Sequence, residues 1–192
     1  VGHAAFSRRP VALVRLTGLG QERLTAAGIA AVASEWERIE AVHSGDTARQ
    51  WPHTSAICVF LHHARARGYA TAACPAVDGP GAAAPDAAIA RGEPPIFVEV
   101  QRRGGRVWRK ARKWRHQQAL QGFAAICALT PAWARRLAAE AQLAGVLRGC
   151  VTDLATLAYG SPSSLWTHVW RGRHSPLECL SADTDLSWNS RL

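Results

Sequence analysis

The sequence predicts a layered α/β domain, and three observations lead there. Apolar runs of strand length alternate with longer segments of helical periodicity in the order α-β-β-β-α-β-α-β. Glycine- and proline-rich turns separate them. At 192 residues and 48% hydrophobic composition, the chain can bury one real core with room for a small appendage.

Residues 9–17 read as a short strand, and residues 20–42 as one helix with Leu24, Ile29, Val32, Trp36 and Ile39 roughly on one side. Gly18-Leu19-Gly20 between them is no dinucleotide fingerprint, because no full GxGxxG follows a longer strand. Ser44-Gly45-Asp46 marks a break. A second helix runs over 53–67, with Ile57, Phe60 and Leu61 inward and Gly68 as its stop. Strands follow over 69–77, 86–91 and 96–101, joined by turn-rich stretches. A basic helix over 106–120 leads to a buried strand over 123–130. Thr130-Pro131 supplies an N-cap and a first-turn proline for a helix that Gly145 closes. Residues 149–158 read as the last clear strand. The tail is irregular or holds a further strand, and the last dozen residues read as loose.

Charge narrows the function. The 23 Lys and Arg against 14 Asp and Glu leave a net charge of +9, which favours an anionic partner, nucleic acid ahead of a membrane surface. The five cysteines are scattered without a CxxC and read as reduced thiols of a cytosolic protein. No continuous apolar run has membrane-spanning length, and the first ten residues have no signal-peptide core. The chain lacks Met and begins at Val, as a fragment or an unusual start would.

The stretch from Ala84 to Gln101 carries the sharpest chemical pattern. Asp86 starts one strand and Glu99 lies near the end of the next. Two carboxylates on adjacent strands can converge on a hard cation such as Mg²⁺ (or Mn²⁺), with the Val100 carbonyl as a third oxygen. Such an ion would activate a water and offset charge on a phosphate. The cation expected two residues on, on the same strand face, is replaced by Gln101. An ordinary hairpin that two carboxylates happen to occupy remains the alternative.

The next helix can compensate. No acidic residue falls between Glu99 and Glu140, whereas positions 102–115 carry eight Lys or Arg. Val107, Ala111 and Trp114 form an apolar stripe, and Lys110 at its edge is placed to reach the carboxylates. Arg102, Arg103, Arg106, Arg109, Arg112, Lys113 and Arg115 are the candidate phosphate contacts. The competing reading is a solvated basic face with an apolar anchor. Trp108 is the tryptophan best placed to stack on an unpaired base. His53, His62 and His63 lack the three- or four-residue spacing of a one-face metal pair and read as cap and surface residues.

Asp86…Glu99-x-Gln101, framed by strand, strand and helix, resembles the PD-(D/E)xK nuclease-like core. More narrowly, the chain resembles the replication-relaxation family of actinobacterial plasmids and integrated elements. The matching pieces are "LTGLGQERL", "WPHTSAICVFLHHAR", "PDAAIA", "FVEVQRRGG", "KARKW" and "SLWTHVWR". The resemblance implies a restriction-endonuclease-like core over 46–172, with a central mixed sheet flanked by helices. It also implies an N-terminal strand-helix remnant of a winged helix over 1–45 and an irregular tail over 173–192. By position it carries over Asp86, Glu99 and Lys110 as site residues, with Asp86 and Glu99 as metal ligands and Gln101 at the third core position. The implied function is DNA binding in plasmid or mobile-element replication, maintenance or transfer, with replication or mobilisation proteins or a second copy as partners. An active Mg²⁺-dependent endonuclease and an interaction module that has lost both metal and DNA are the alternatives.

Overall fold

The structure, a computed structural model, describes residues 2–4, 11–13, 17–30, 34–43, 47–77, 84–92, 94–102, 107–160 and 164–180. For 2–4, 11–13, 47–50 and 107–110 it describes the backbone alone. Arg103 and Arg106 lie outside these residues.

The chain begins with β1 (Gly2–Ala4) and β2 (Val11–Leu13), an antiparallel pair in register Gly2 with Leu13. The helix expected over 20–42 is two helices, α1 (Gly18–Ala26) and α2 (Glu35–Val42). Gly28, at φ +71°, takes the left-handed conformation that ends a helix cheaply only at glycine. Ser34 then opens α2 through a reciprocal capping box with Glu37. Both signals are local and outweigh the apolar periodicity that continues across them.

There follow α3 (Thr47–Ala66), β3 (Ala70–Ala73), β4 (Ala87–Ala90), β5 (Ile96–Gln101), α4 (Val107–Gln121), β6 (Ala124–Ala128), α5 (Pro131–Leu143) and β7 (Arg148–Asp153). The strand expected over 149–158 stops at Asp153. The Asp153 carboxylate accepts from the Thr156 amide at 2.9 Å and its hydroxyl at 2.8 Å, which turns the chain into α6 (Leu154–Tyr159). β8 (His168–Arg171) and β9 (Glu178–Cys179) complete the described chain, so the stretch read as irregular or a further strand holds two short strands.

The seven strands from β3 to β9 form one mixed sheet in sequence order. β3, β4 and β5 are an antiparallel meander, β5, β6 and β7 are parallel, and β8 and β9 return antiparallel. Consecutive parallel strands require crossovers, which α4 and α5 supply. Side-chain alternation divides two cores between the faces. Ile96, Val98 and Val100 of β5, with Ala125 and Cys127 of β6, join Ile57, Phe60 and Leu61 of α3. Ala124, Ile126 and Ala128 join Trp114 of α4 and Leu137 of α5 on the other face. All five β6 residues are buried, as expected of a strand covered on both sides. The α/β class and helix-flanked mixed sheet expected from the sequence are therefore present.

Gly149 shows how close the second core packs. A Cβ there would lie 2.1 Å from the Trp170 ring and 2.7 Å from the Ala124 carbonyl oxygen. Trp170 is fully buried and donates its indole N–H to the Val146 carbonyl at 3.3 Å.

Candidate functional site

β4 begins at Ala87, opposite Val98, so β5 runs on past the end of its backbone pairing with β4. Asp86 stands at that end. Its Oδ2 accepts the Val100 N–H at 2.8 Å, supplying an acceptor where the strand pairing stops. Its own carbonyl accepts from the Cys74 amide at 3.1 Å. Asp86 is 1% exposed, and a carboxylate at that depth is stable only with charged or hydrogen-bonding partners.

Those partners come from three elements. Glu99 is buried on β5 and, by strand alternation, lies on the sheet face opposite Val98 and Val100, toward α4. Lys113 of α4 brings its ammonium against Glu99 and to 3.8 Å from Asp86 Oδ2. His53 of α3 places Nε2 at 3.2 Å from Asp86 Oδ1. His43, the residue that ends α2, places Nε2 at 3.5 Å from the same oxygen. The two imidazoles stand edge to face with centroids 5.0 Å apart.

The two carboxylates are driven in opposite directions. Burial pushes Asp86 up, but Lys113 and the hydrogen bonds of His43 and His53 hold it well below the usual carboxylate range. Burial and the neighbouring Asp86 charge push Glu99 well above its usual value, with Lys113 opposing. Burial lowers Lys113, but Asp86 and Glu99 outweigh it and keep the lysine protonated. The site thus holds an ionised aspartate, a glutamate that readily takes a proton, and a fixed cation.

Lys113 is delivered by a ladder along α4. Gln121 and Gln117 both bind the Phe97 backbone, and Gln117 also exchanges hydrogen bonds with Ala125 of β6. Backbone pairing of β5 with β6 starts only at Glu99, and the Gln117 amide fills the gap before it. Four residues of helix rise about 6 Å and two of strand about 6.6 Å. With Gln117 at Phe97, Lys113 therefore falls beside Glu99.

The sequence-predicted residues divide accordingly. Asp86 and Glu99 come together. Lys113, expected on the phosphate-facing side, turns inward to the position for which Lys110 was expected. The backbones of Lys110, Arg109, Trp108 and Val107 lie in α4, and their side chains are outside the described set. Gln101 and Arg102 are half-buried, and Arg112 and Arg115 are exposed. His53 is neither a cap nor a surface group. Its partner, His43, sits ten residues earlier on another helix, so no single-helix spacing could reveal the pair.

A Mg²⁺ ion shared by Asp86 and Glu99 does not fit this arrangement as it stands. The Lys113 ammonium already lies against Glu99 and near Asp86 Oδ2, and the remaining Asp86 oxygen faces nitrogen donors rather than the oxygens and waters magnesium prefers. Compared with family models, curated proteins and solved structures, the chain gives no match.

Proposed function

We propose that this is a cytoplasmic DNA-binding protein with a nuclease-like core, acting in the replication, maintenance or transfer of a plasmid or mobile element. The observation that carries this reading is the double role of α4. It carries exposed Arg112 and Arg115 outward and sends Lys113 into the carboxylate pair beneath. A phosphate backbone lying along α4 would meet the arginines and run past a site with its own cation. The arrangement of α3, the meander β3-β4-β5, the crossover α4 and parallel β6 supports the nuclease-like comparison. The net charge of +9 supplies the long-range attraction.

Fluorescence anisotropy with a labelled duplex, in chelator and over a salt series, tests the reading. Binding should persist without metal and weaken steeply with salt. Replacing both Arg112 and Arg115 with Ala should lower the slope of log affinity against log salt by about 2. A slope that does not change would remove α4 from the interface, and absent binding at low salt would defeat the proposal.

A second reading, an active endonuclease, is favoured by the convergence of Asp86, Glu99 and Lys113 alone. Lys113 would stabilise charge on a phosphate, Asp86 would hold Lys113 in place, and Glu99 would exchange a proton. Supercoiled plasmid incubated with Mg²⁺ or Mn²⁺ tests it. Nicking abolished in both Asp86→Ala and Lys113→Ala is expected, and nicking that survives either change would rule this centre out.

In neither reading does the chain rest on a membrane-spanning helix. Among the described residues no helix is long and apolar enough to cross a membrane.

A further inference from the structure

We propose that His43, His53 and Asp86 form a binding site for one divalent transition-metal ion of the zinc and cobalt class. The inference concerns metal binding and does not depend on whether the protein binds or cuts DNA.

Three residues from three separate segments, the end of α2, α3 and the start of β4, bring one ligand atom each to within 4.8 Å of one another. Nitrogen-rich donor sets of two imidazoles and one carboxylate suit borderline metals, not magnesium or calcium. The spacing suits them as well. Bonds of about 2 Å in tetrahedral array put neighbouring ligand atoms about 3.3 Å apart. The two histidine nitrogens lie 3.2 and 3.5 Å from Asp86 Oδ1.

The carboxylate is divided between two duties. Oδ2 is held by the Val100 amide and faces Lys113, whereas Oδ1 faces the two histidines. An ion on Oδ1 therefore leaves the Lys113–Glu99 contact in place. Asp86 is buried, while the two histidines are about a quarter exposed, so the site is anchored at its floor and open on the imidazole side. An open position of this kind is where a water ligand sits in reactive metal centres.

Cys74 adds an independent pointer. Among the described residues it is the sole non-glycine with positive φ, at +43°. Such conformations cost free energy and concentrate at functional positions. Its Sγ lies 3.9 Å from His43 Nε2, at the edge of the cluster. A hard cation has no use for a sulfur neighbour, whereas the zinc class tolerates one.

The test is calorimetric titration of the chelator-stripped full chain with Zn²⁺ and Co²⁺, with Mg²⁺ as the comparison. One-to-one binding of Zn²⁺ and Co²⁺ is expected, with no matching heat from Mg²⁺. His43→Ala and His53→Ala should each weaken it by about 100-fold, whereas His62→Ala, at an exposed position of α3 outside the cluster, should leave it within about threefold. Circular dichroism checks that the variants fold. X-ray absorption on the zinc-loaded wild type needs no variant, and it should show scattering from two imidazole ligands. Undiminished binding in the His43→Ala/His53→Ala double variant would assign the ion to other histidines and overturn the proposal. So would a zinc spectrum without imidazole scattering, or no stoichiometric binding. DNA binding measured in chelator is unaffected by any of these outcomes, so failure here and failure of the DNA-binding reading remain separable.

Discussion

Lys113 lies against Glu99 because Gln117, one helical turn further along α4, is fixed to Phe97 of the same strand. The helix runs back along β5, and the matched rise of helix and strand converts one anchored glutamine into a placed lysine. The basic helix is thereby tied to the buried carboxylates rather than resting over them.

Removing the lysine charge should expose that dependence. Lys113→Met leaves Asp86 and Glu99 facing each other without their common cation. Loss of one partner of a fully buried pair costs about 3–5 kcal/mol, and the one-third exposure of the Lys113 side chain (34%) reduces the expected loss to about 2 kcal/mol. Urea denaturation at neutral pH measures it. A loss below about 0.5 kcal/mol would show that Lys113 is not needed to hold the carboxylates.

The carboxylates should respond to pH with opposite signs. Glu99 is raised in the folded state, so its contribution is complete below the unfolded value of about 4.3 and is lost as pH rises through the folded value. Glu99→Gln should therefore gain stability relative to wild type as pH rises from about 4.3 toward neutral. Asp86 is lowered, so its contribution is present above about 3.9 and is lost as pH falls through the folded value. Asp86→Asn should be destabilised by about 2–3 kcal/mol at neutral pH, with the deficit shrinking in acid. Parallel stability–pH curves for the two variants would contradict this division.

Gln117 is the buried polar residue on which the ladder depends. Gln117→Leu removes the acceptor of the buried Ala125 amide and leaves it unpaired at a cost of about 2 kcal/mol, while Phe97 keeps its hydrogen bonds to Gln121. Hydrogen exchange should show faster opening at Ala125 than at Val151 in β7. Uniform acceleration across both strands would mean that Gln117 acts through overall stability alone.

Gly149→Ala tests the packing of the far side of the sheet. The added methyl would press on the Trp170 ring and the Ala124 carbonyl, and neither is at a free end that can swing aside. We expect a loss of about 3 kcal/mol, read by thermal denaturation, with Trp170 fluorescence altered in the native state. Pairing the change with a smaller residue at 170 should recover part of the loss.

The sequence by itself determined the alternation of helices and strands, because the 2-residue and 3.6-residue apolar periods are local properties. It placed Asp86 and Glu99 on neighbouring strands for the same reason. It also contained local signals that outweigh periodicity: Gly28 with Ser34-x-x-Glu37 divides α1 from α2, and the Asp153 cap ends β7. The Lys113, Gln117 and Gln121 series was legible as a four-residue polar spacing, although its direction was not. Helix phase decides which residues share a face, but not which strand that face meets. Only the tertiary structure decided that Lys113 turns inward and that His43 meets His53 at Asp86. Those contacts depend on how α2, α3 and α4 pack on the sheet, and sequence spacing carries no distance between elements once the chain has turned.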